Sequence, residues 1–98
     1  MKTYKTVKGL QKVLDQCRVE GKRIAFVPTM GALHEGHISL VELASQRADI
    51  VVVSIFVNPS QFNSSEDLKK YPRMVEKDSK FLRRAKCNFL FIPEVDEV

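Results

Sequence analysis

The chain has 98 residues and a net charge of +4, from 16 Lys and Arg against 12 Asp and Glu. This length allows one domain at most, and 44% hydrophobic with 29% charged residues is typical of a globular chain. Cys17 and Cys87 lie far apart without CxxC spacing, which argues against zinc and favours buried free thiols in a reducing cytosol. The basic residues are scattered, and no apolar run is long enough for a membrane span or a signal core. The composition therefore predicts a cytoplasmic protein without nucleic-acid or membrane partners.

The first half of the chain alternates helical and extended patterns. Apolar positions at helical spacing predict a helix over residues 6–17, with Thr3 or Thr6 as its cap. Residues 24–27 are a short apolar run typical of a strand, which we expect Pro28 to end. A second amphipathic helix is predicted after the following loop, with apolar positions at Ile38, Leu40, Val41, Leu43, Ala44 and Ala48.

The second half completes the alternation. Residues 50–57 are β-branched and apolar on both alternating faces, which predicts a strand covered on both sides, as in a parallel sheet. Pro72 interrupts the next stretch, a helix is predicted over residues 75–85 with Phe81 and Leu82 inward, and residues 89–92 form a third strand. The sum is a β-α-β-α-β unit, hence an α/β fold with a Rossmann-like parallel sheet and flanking helices. Ligands of such sheets bind beyond the carboxyl ends of the strands.

Both histidines of the chain, His34 and His37, fall in one His-Glu-Gly-His run between a strand and a helix start. The first N–H groups of a helix lack intrahelical partners and attract anions, and two imidazoles add side-chain donors there. The pattern therefore predicts phosphate handling, and the alternative is a pair of surface histidines that cap a helix. Gly31 and Gly36 permit close backbone approach, whereas Glu35 would repel phosphate and is expected to face solvent.

Several polar residues beyond the central strand allow two interpretations. Asn58 and Gln61 can donate to a carboxylate or hydroxyl group without charge repulsion, although the Asn-Pro pair by itself favours a simple turn. Phe62 suits either the core or a pocket wall. Arg73 suits a surface charge slightly better than a phosphate contact, and Asp78 is predicted to be a solvated helix residue.

Three blocks, PTMGxLHxGH at 28–37, VSIFVNPxQF at 53–62 and YPR at 71–73, closely resemble the pantothenate synthetase (pantoate–β-alanine ligase) family. This family belongs to the HIGH-type nucleotidyl-transferring Rossmann superfamily. The His-x-Gly-His run alone indicates only the superfamily, and the three blocks together are more specific. The resemblance implies that residues 1–98 are the N-terminal part of a Rossmann-like ATP- and pantoate-binding domain.

The resemblance also implies an activity and its residues. ATP, with Mg²⁺ bound to its phosphates, would activate (R)-pantoate to pantoyl adenylate, and the amine of β-alanine would then displace AMP to give pantothenate. His37 would be the catalytic proton donor and His34 a phosphate contact, and the protein would be a homodimer. The implied ATP site comprises Met30, Gly31, Ala32, Leu33, His34, Glu35, Gly36 and His37. The implied pantoate and β-alanine site comprises Pro28, Thr29, Met30, Asn58, Gln61 and Phe62, and none of these positions is implied to ligate a metal.

Family members carry downstream Lys-Asp-x-Gln and Ser-Ser-Arg segments and a C-terminal domain, none of which occurs in these 98 residues. We therefore expect these residues alone to lack ligase activity and to bind ATP weakly. One alternative is another nucleotidylyltransferase that uses the same phosphate site with a different acceptor. The other is a non-catalytic nucleotide-binding or assembly module.

Overall fold

The computed structural model describes residues 1–56 and 65–93, with side chains at 1–56 and 74–93. Within these residues the elements follow one another as β1 (Lys2–Tyr4), α1 (Val7–Val19), β2 (Ile24–Thr29), α2 (Glu35–Arg47), β3 (Ile50–Ile55), α3 (Ser65–Arg84) and β4 (Phe89–Phe91). All strand pairs are parallel, and the sheet order is β1-β4-β3-β2. The predicted α/β class with a Rossmann-like parallel sheet is confirmed.

The inner strand β3 organises the core, because every one of its residues is buried. Alternate side chains of a strand face opposite sides of the sheet, so β3 supplies two separate apolar clusters. The larger cluster lies on the side of α2 and α3 and contains Val27, Leu33, Ile38, Val41, Val51, Val53, Ile55, Leu82, Ala85, Cys87 and Leu90. The smaller cluster lies on the side of α1 and contains Leu10, Leu14, Cys17, Ile50 and Val52. The prediction of a strand covered on both faces is thus confirmed for β3.

Strand β1 has no counterpart among the predicted elements. Its three residues are exposed or half-buried and carry no apolar run, so no sequence pattern marks them as extended. Parallel pairing with β4 defines the strand, in the register of Thr3 with Leu90. The edge of the sheet, rather than local propensity, therefore makes this segment a strand.

The prediction that Pro28 ends its strand is wrong, because β2 continues through Thr29. The Phe56 N–H donates to the Thr29 carbonyl at 3.1 Å, and the Ile50 N–H donates to the Arg23 carbonyl at 3.0 Å. Odd-numbered residues of β2 therefore turn their backbone groups toward β3, and even-numbered ones turn theirs toward the opposite edge. Since Pro28 has no N–H, its position on that edge costs the β2–β3 ladder no hydrogen bond.

Two of the three helices depart from their predictions. Helix α3 begins ten residues before the predicted residue 75 and contains Pro72, so the expected interruption is wrong, while Leu82 is fully buried and Phe81 is half-buried against the larger cluster, as predicted. In α2, Leu40 and Leu43 are 50% and 44% exposed, because the buried stripe is only wide enough for residues such as Ile38 and Val41. Among the described residues, no helix combines the length and the apolar character that a membrane span requires.

Candidate functional site

A cleft of about 430 Å³ lies at the carboxyl ends of β2 and β3, within the volume range of small-molecule sites. Four of the residues proposed from the sequence line it, Pro28, Thr29, Met30 and His37, and Ser54 and Phe56 complete the lining. A second cleft of about 410 Å³ lies near the amino ends of the strands, beside Arg23 and Asp49. Ligands of parallel α/β sheets bind at the carboxyl ends, so the first cleft is the candidate site.

The loop between β2 and α2 follows Thr29, the last residue of β2, whose hydroxyl group makes two hydrogen bonds. Its Oγ1 donates to the Ser54 carbonyl at 2.8 Å and accepts from the Gly31 N–H at 3.2 Å. The first bond ties the end of β2 to β3, and the second bends the chain into the loop. Gly31 has φ 86°, a left-handed conformation that glycine adopts without steric cost. These contacts hold the part of the loop that precedes the two histidines.

The middle of the loop is held by Asp78 of α3. The N–H groups of Ala32 and Leu33 donate to its two carboxylate oxygens, each at 2.9 Å. Asp78 is only 3% exposed, so the prediction of a solvated helix residue is wrong. A carboxylate at this depth needs hydrogen-bond donors, and the two consecutive N–H groups of the loop supply them.

His34 and His37 cap the start of α2 and each other. The Gly36 N–H donates to His34 Nδ1 at 3.0 Å, and the His34 N–H donates to His37 Nδ1 at 3.2 Å. The ring centroids lie 4.2 Å apart with an angle of 51° between the ring planes. His34 is exposed and His37 is half-buried, and of the two rings it is His37 that lines the cleft. The predicted capping role of the two histidines is therefore confirmed, and phosphate handling by the same two side chains stays a prediction.

These caps determine which ring nitrogen carries the proton. A nitrogen that accepts a hydrogen bond holds no proton, so the proton of each neutral ring is on Nε2. Each ring therefore accepts a backbone N–H at Nδ1 and offers a new donor at Nε2. A phosphate at this site would meet two imidazole N–H groups.

Three backbone N–H groups of the loop and the helix start already have acceptors within the protein. We expected the unpartnered N–H groups of the helix start to bind the anion, but the Gly36 N–H is already used by His34. The N–H groups of Ala32 and Leu33 are used by Asp78, so a nucleotide would contact other atoms of these residues. A Cβ on Gly36 would lie 2.8 Å from His34 Cε1, and glycine is thus required for the ring to lie over the helix start. Glu35 is exposed, as expected.

The remaining predicted site residues, Asn58, Gln61 and Phe62, lie outside the described residues, and so does the side chain of Arg73. In the residues the structure does describe, no three His, Cys, Asp or Glu side chains are grouped as a metal site would require. The sequence analysis did not assign Ser54, Phe56 or Asp78 to the site. The sequence does contain an indication that Asp78 is buried. Asp78 precedes the buried Leu82 by four positions and therefore lies on the same face of the helix.

By fold and site, the molecule is a Rossmann-like α/β protein in which a strand, a glycine loop and a histidine-capped helix meet at a cleft. The family model described as Pantoate-beta-alanine ligase matches residues 2–98. The chain belongs to this family, as the resemblance predicted.

Known relatives agree with the family match. A pantothenate synthetase of Pseudomonas putida (strain W619) is 57% identical over 98 residues, which are 100% of this chain and 34% of the relative. The crystal structure of pantothenate synthetase from Thermus thermophilus superposes with a TM-score of 0.77 at 44% identity, covering 99% of this chain and 33% of that one. Pantoate-beta-alanine ligase from Francisella tularensis, complexed with beta-gamma ATP and beta-alanine, gives a TM-score of 0.75 at 41% identity, over 95% and 35% of the two chains. This chain thus spans about a third of the length of these relatives.

Proposed function

We propose that this chain supplies the phosphate-binding part of an ATP-dependent ligase that forms pantothenate from (R)-pantoate and β-alanine. The observation that carries the proposal is the reciprocal capping of His34 and His37, which leaves an Nε2–H donor on each ring. His37 lines the cleft, and the His34 ring centroid lies 4.2 Å from that of His37. The family match and the relative complexed with ATP and beta-alanine support the choice of substrates.

The first step is attack of the pantoate carboxylate on the α-phosphorus of ATP. A bond forms between a carboxylate oxygen and phosphorus, the bond to the bridging oxygen breaks, and pyrophosphate leaves with the electron pair. Negative charge grows on the phosphate oxygens during this step. Donors that are fixed in place stabilise such charge without reorganising, and the caps fix His34 and His37 in this way. We assign His37 as the donor closest to the reacting groups, because it lines the cleft.

In the second step the neutral amine of β-alanine attacks the acyl carbon of pantoyl adenylate. A C–N bond forms, the bond from the acyl carbon to the phosphate oxygen breaks, AMP leaves with the electron pair, and the nitrogen loses a proton to water. Gln61 would bind pantoate near the amine, with Asn58 and Phe62 supporting that wall, and these three roles rest on the resemblance. Thr29 and Met30 line the cleft on the side of β2 and would contact the acid substrate.

Mg²⁺ would be bound with ATP. The bound Mg²⁺ would neutralise part of the negative charge of the phosphates. A homodimeric, cytoplasmic enzyme is part of the same proposal.

A chimera tests the proposal. Residues 1–98 replace the matching third of the P. putida relative, to which they are 57% identical. We expect AMP formation that requires both (R)-pantoate and β-alanine, and pyrophosphate exchange into ATP that requires pantoate alone. The matched control carries His34→Ala and His37→Ala together, and it should retain the fold and lose the exchange.

Two outcomes would contradict the proposal. Exchange that proceeds equally well with other acids would favour another nucleotidylyltransferase. ATP binding without any exchange in a folded chimera would favour a non-catalytic nucleotide-binding module.

A further inference from the structure

We propose that Asp78 is a positioning residue of the phosphate site, acting on His34 and His37 through the loop before them. The inference rests on the proposed function for its ligand, while the contacts that carry it are independent of any ligand. Asp78 lies 45 residues from Leu33 in the chain, yet its carboxylate accepts hydrogen bonds from both N–H groups at the turn of the loop.

The loop needs this carboxylate because of its backbone conformation. Gly31 has φ 86° and Ala32 has φ 53°, two consecutive residues in the left-handed region, where a residue with a Cβ is strained. This conformation turns the N–H groups of Ala32 and Leu33 toward one point, forming a concave site for an anion. Asp78 occupies that site from within the protein. Without it, two N–H groups would lose their partners and the strained turn would relax.

The contacts lead directly from Asp78 to the imidazole rings. Leu33 is anchored twice, by its N–H on Asp78 and by its buried side chain in the larger cluster. The next residue is His34, whose N–H donates to His37 Nδ1 and whose own Nδ1 accepts from the Gly36 N–H. A shift of Leu33 therefore moves the donor that sets the tautomer of His37.

Asp78 acts through the loop and not on phosphate itself. Its side chain is buried, and both oxygens already face loop donors. A carboxylate would also repel a polyphosphate, so direct contact is unfavourable. The negative charge is compatible with the site because two N–H groups donate to it behind the loop.

The test uses Asp78→Asn, which keeps the size but turns an NH₂ group toward one of the two loop N–H groups. The control is Asp15→Asn, which changes the same charge on the exposed face of α1, where Asp15 pairs with Arg18 at 2.9 Å. NMR of the labelled chain, under mildly alkaline conditions that keep imidazole neutral, reports the ring tautomers through the nitrogen shifts. ATP with Mg²⁺ is then titrated into each protein.

The proposal expects Nε2–H tautomers for both rings in the unchanged chain and in D15N, and a mixture of tautomers in D78N. The ATP Kd should rise about tenfold in D78N and stay within about twofold in D15N. A D78N protein that is less stable but keeps both tautomers and the ATP Kd would overturn the proposal, since Asp78 would then only stabilise the fold.

If D78N does not fold, amide hydrogen exchange measured in the unchanged chain still tests the proposal. The Ala32 and Leu33 amides should exchange at least about 100-fold more slowly than those of an unstructured peptide. Exchange at the unstructured rate would overturn the proposal. If the chimera shows no pantoate-dependent exchange while D78N still alters the tautomers, the proposed function fails and the positioning role stands.

Discussion

The first turns of α1 and α2 each contain a backbone N–H that needs an acceptor, and different side chains provide it. Thr6 caps α1, and its Oγ1 accepts the Gly9 N–H at 3.1 Å. His34 caps α2, and its Nδ1 accepts the Gly36 N–H at 3.0 Å. Threonine is among the residues that helix starts prefer, whereas histidine is not. In both places a Cβ on the capped glycine would collide with the cap, 2.9 Å from Thr6 Oγ1 and 2.8 Å from His34 Cε1.

The difference teaches that a cap can serve two purposes. The Thr6 hydroxyl accepts and donates at a single atom, which lies against the helix start. An imidazole accepts at Nδ1 and donates at Nε2, on another side of its ring, so a histidine can cap the helix and still offer a donor away from it. A residue that is a weaker cap than threonine therefore marks the helix start at which chemistry is expected, and substitutions at the two starts should separate stability from function.

The largest expected effect is that of His37→Ala in the chimera. We expect kcat to fall by about 10²–10³, or about 3–4 kcal/mol of transition-state stabilisation, because one preorganised donor is lost. Steady-state kinetics of AMP formation measure it, and thermal unfolding shows that the fold survives. An equal loss confined to the KM for ATP would mean that His37 only holds the nucleotide.

The next effect compares Gly36→Ala with Gly9→Ala. The new methyl group should displace the His34 ring in G36A, and ATP affinity should fall about tenfold, or about 1.4 kcal/mol. G9A creates the same collision at Thr6 and should leave ATP affinity unchanged. Titration of both variants with ATP measures the difference, and equal ATP affinities would contradict the functional distinction between the two helix starts.

A smaller effect is expected for Thr6→Ala. Loss of the cap should cost about 1 kcal/mol in the free energy of unfolding, since the Gly9 N–H loses its acceptor. Urea denaturation measures the cost. Thr6→Ser keeps a hydroxyl group and is the control, and ATP binding should be the same in both variants.

The smallest effect is a pH dependence that comes from neither helix start. Burial raises the pKa of the Cys87 thiol above its ordinary value of 9.0. As pH rises through 9.0, the unfolded chain loses the thiol proton while the folded chain keeps it, so the free energy of unfolding falls. This stability is fully present below 9.0. Denaturation series at rising pH should show the decline in the unchanged chain and a weaker one in Cys87→Ala, and identical slopes would contradict it.

The fold class was predictable because β3 and the helices carry strong periodic patterns. Residues 50–55 are apolar on both faces, and this pattern alone indicates a covered inner strand. Strand β1 was not predictable, since its pairing with β4 joins residues about 87 positions apart and leaves no local trace. Pro28 does not end β2, because its missing N–H would face away from β3. Helix α3 continues through Pro72, and the structure gives no reason for this.

The sequence located the two histidines at a helix start, but not the hydrogen bonds that they make. The His-x-Gly-His run places both rings at the start of α2, and the structure shows that each ring accepts a backbone N–H there. The burial of Asp78 is not predictable from its own segment, because a carboxylate on a helix is usually solvated and the loop N–H groups that donate to it are 45 and 46 positions away. The local indication is its spacing of four residues from Leu82, which puts both side chains on one face of α3.

Pro28 has one further consequence for the shape of the binding region. Its nitrogen points to the side of β2 that does not pair with β3, and it can donate nothing there. A further strand laid along that side would receive an N–H from Ile24 and Phe26 but none from Pro28, whose carbonyl could still accept. The end of β2 beside the cleft is therefore the position at which such a strand would pair most weakly.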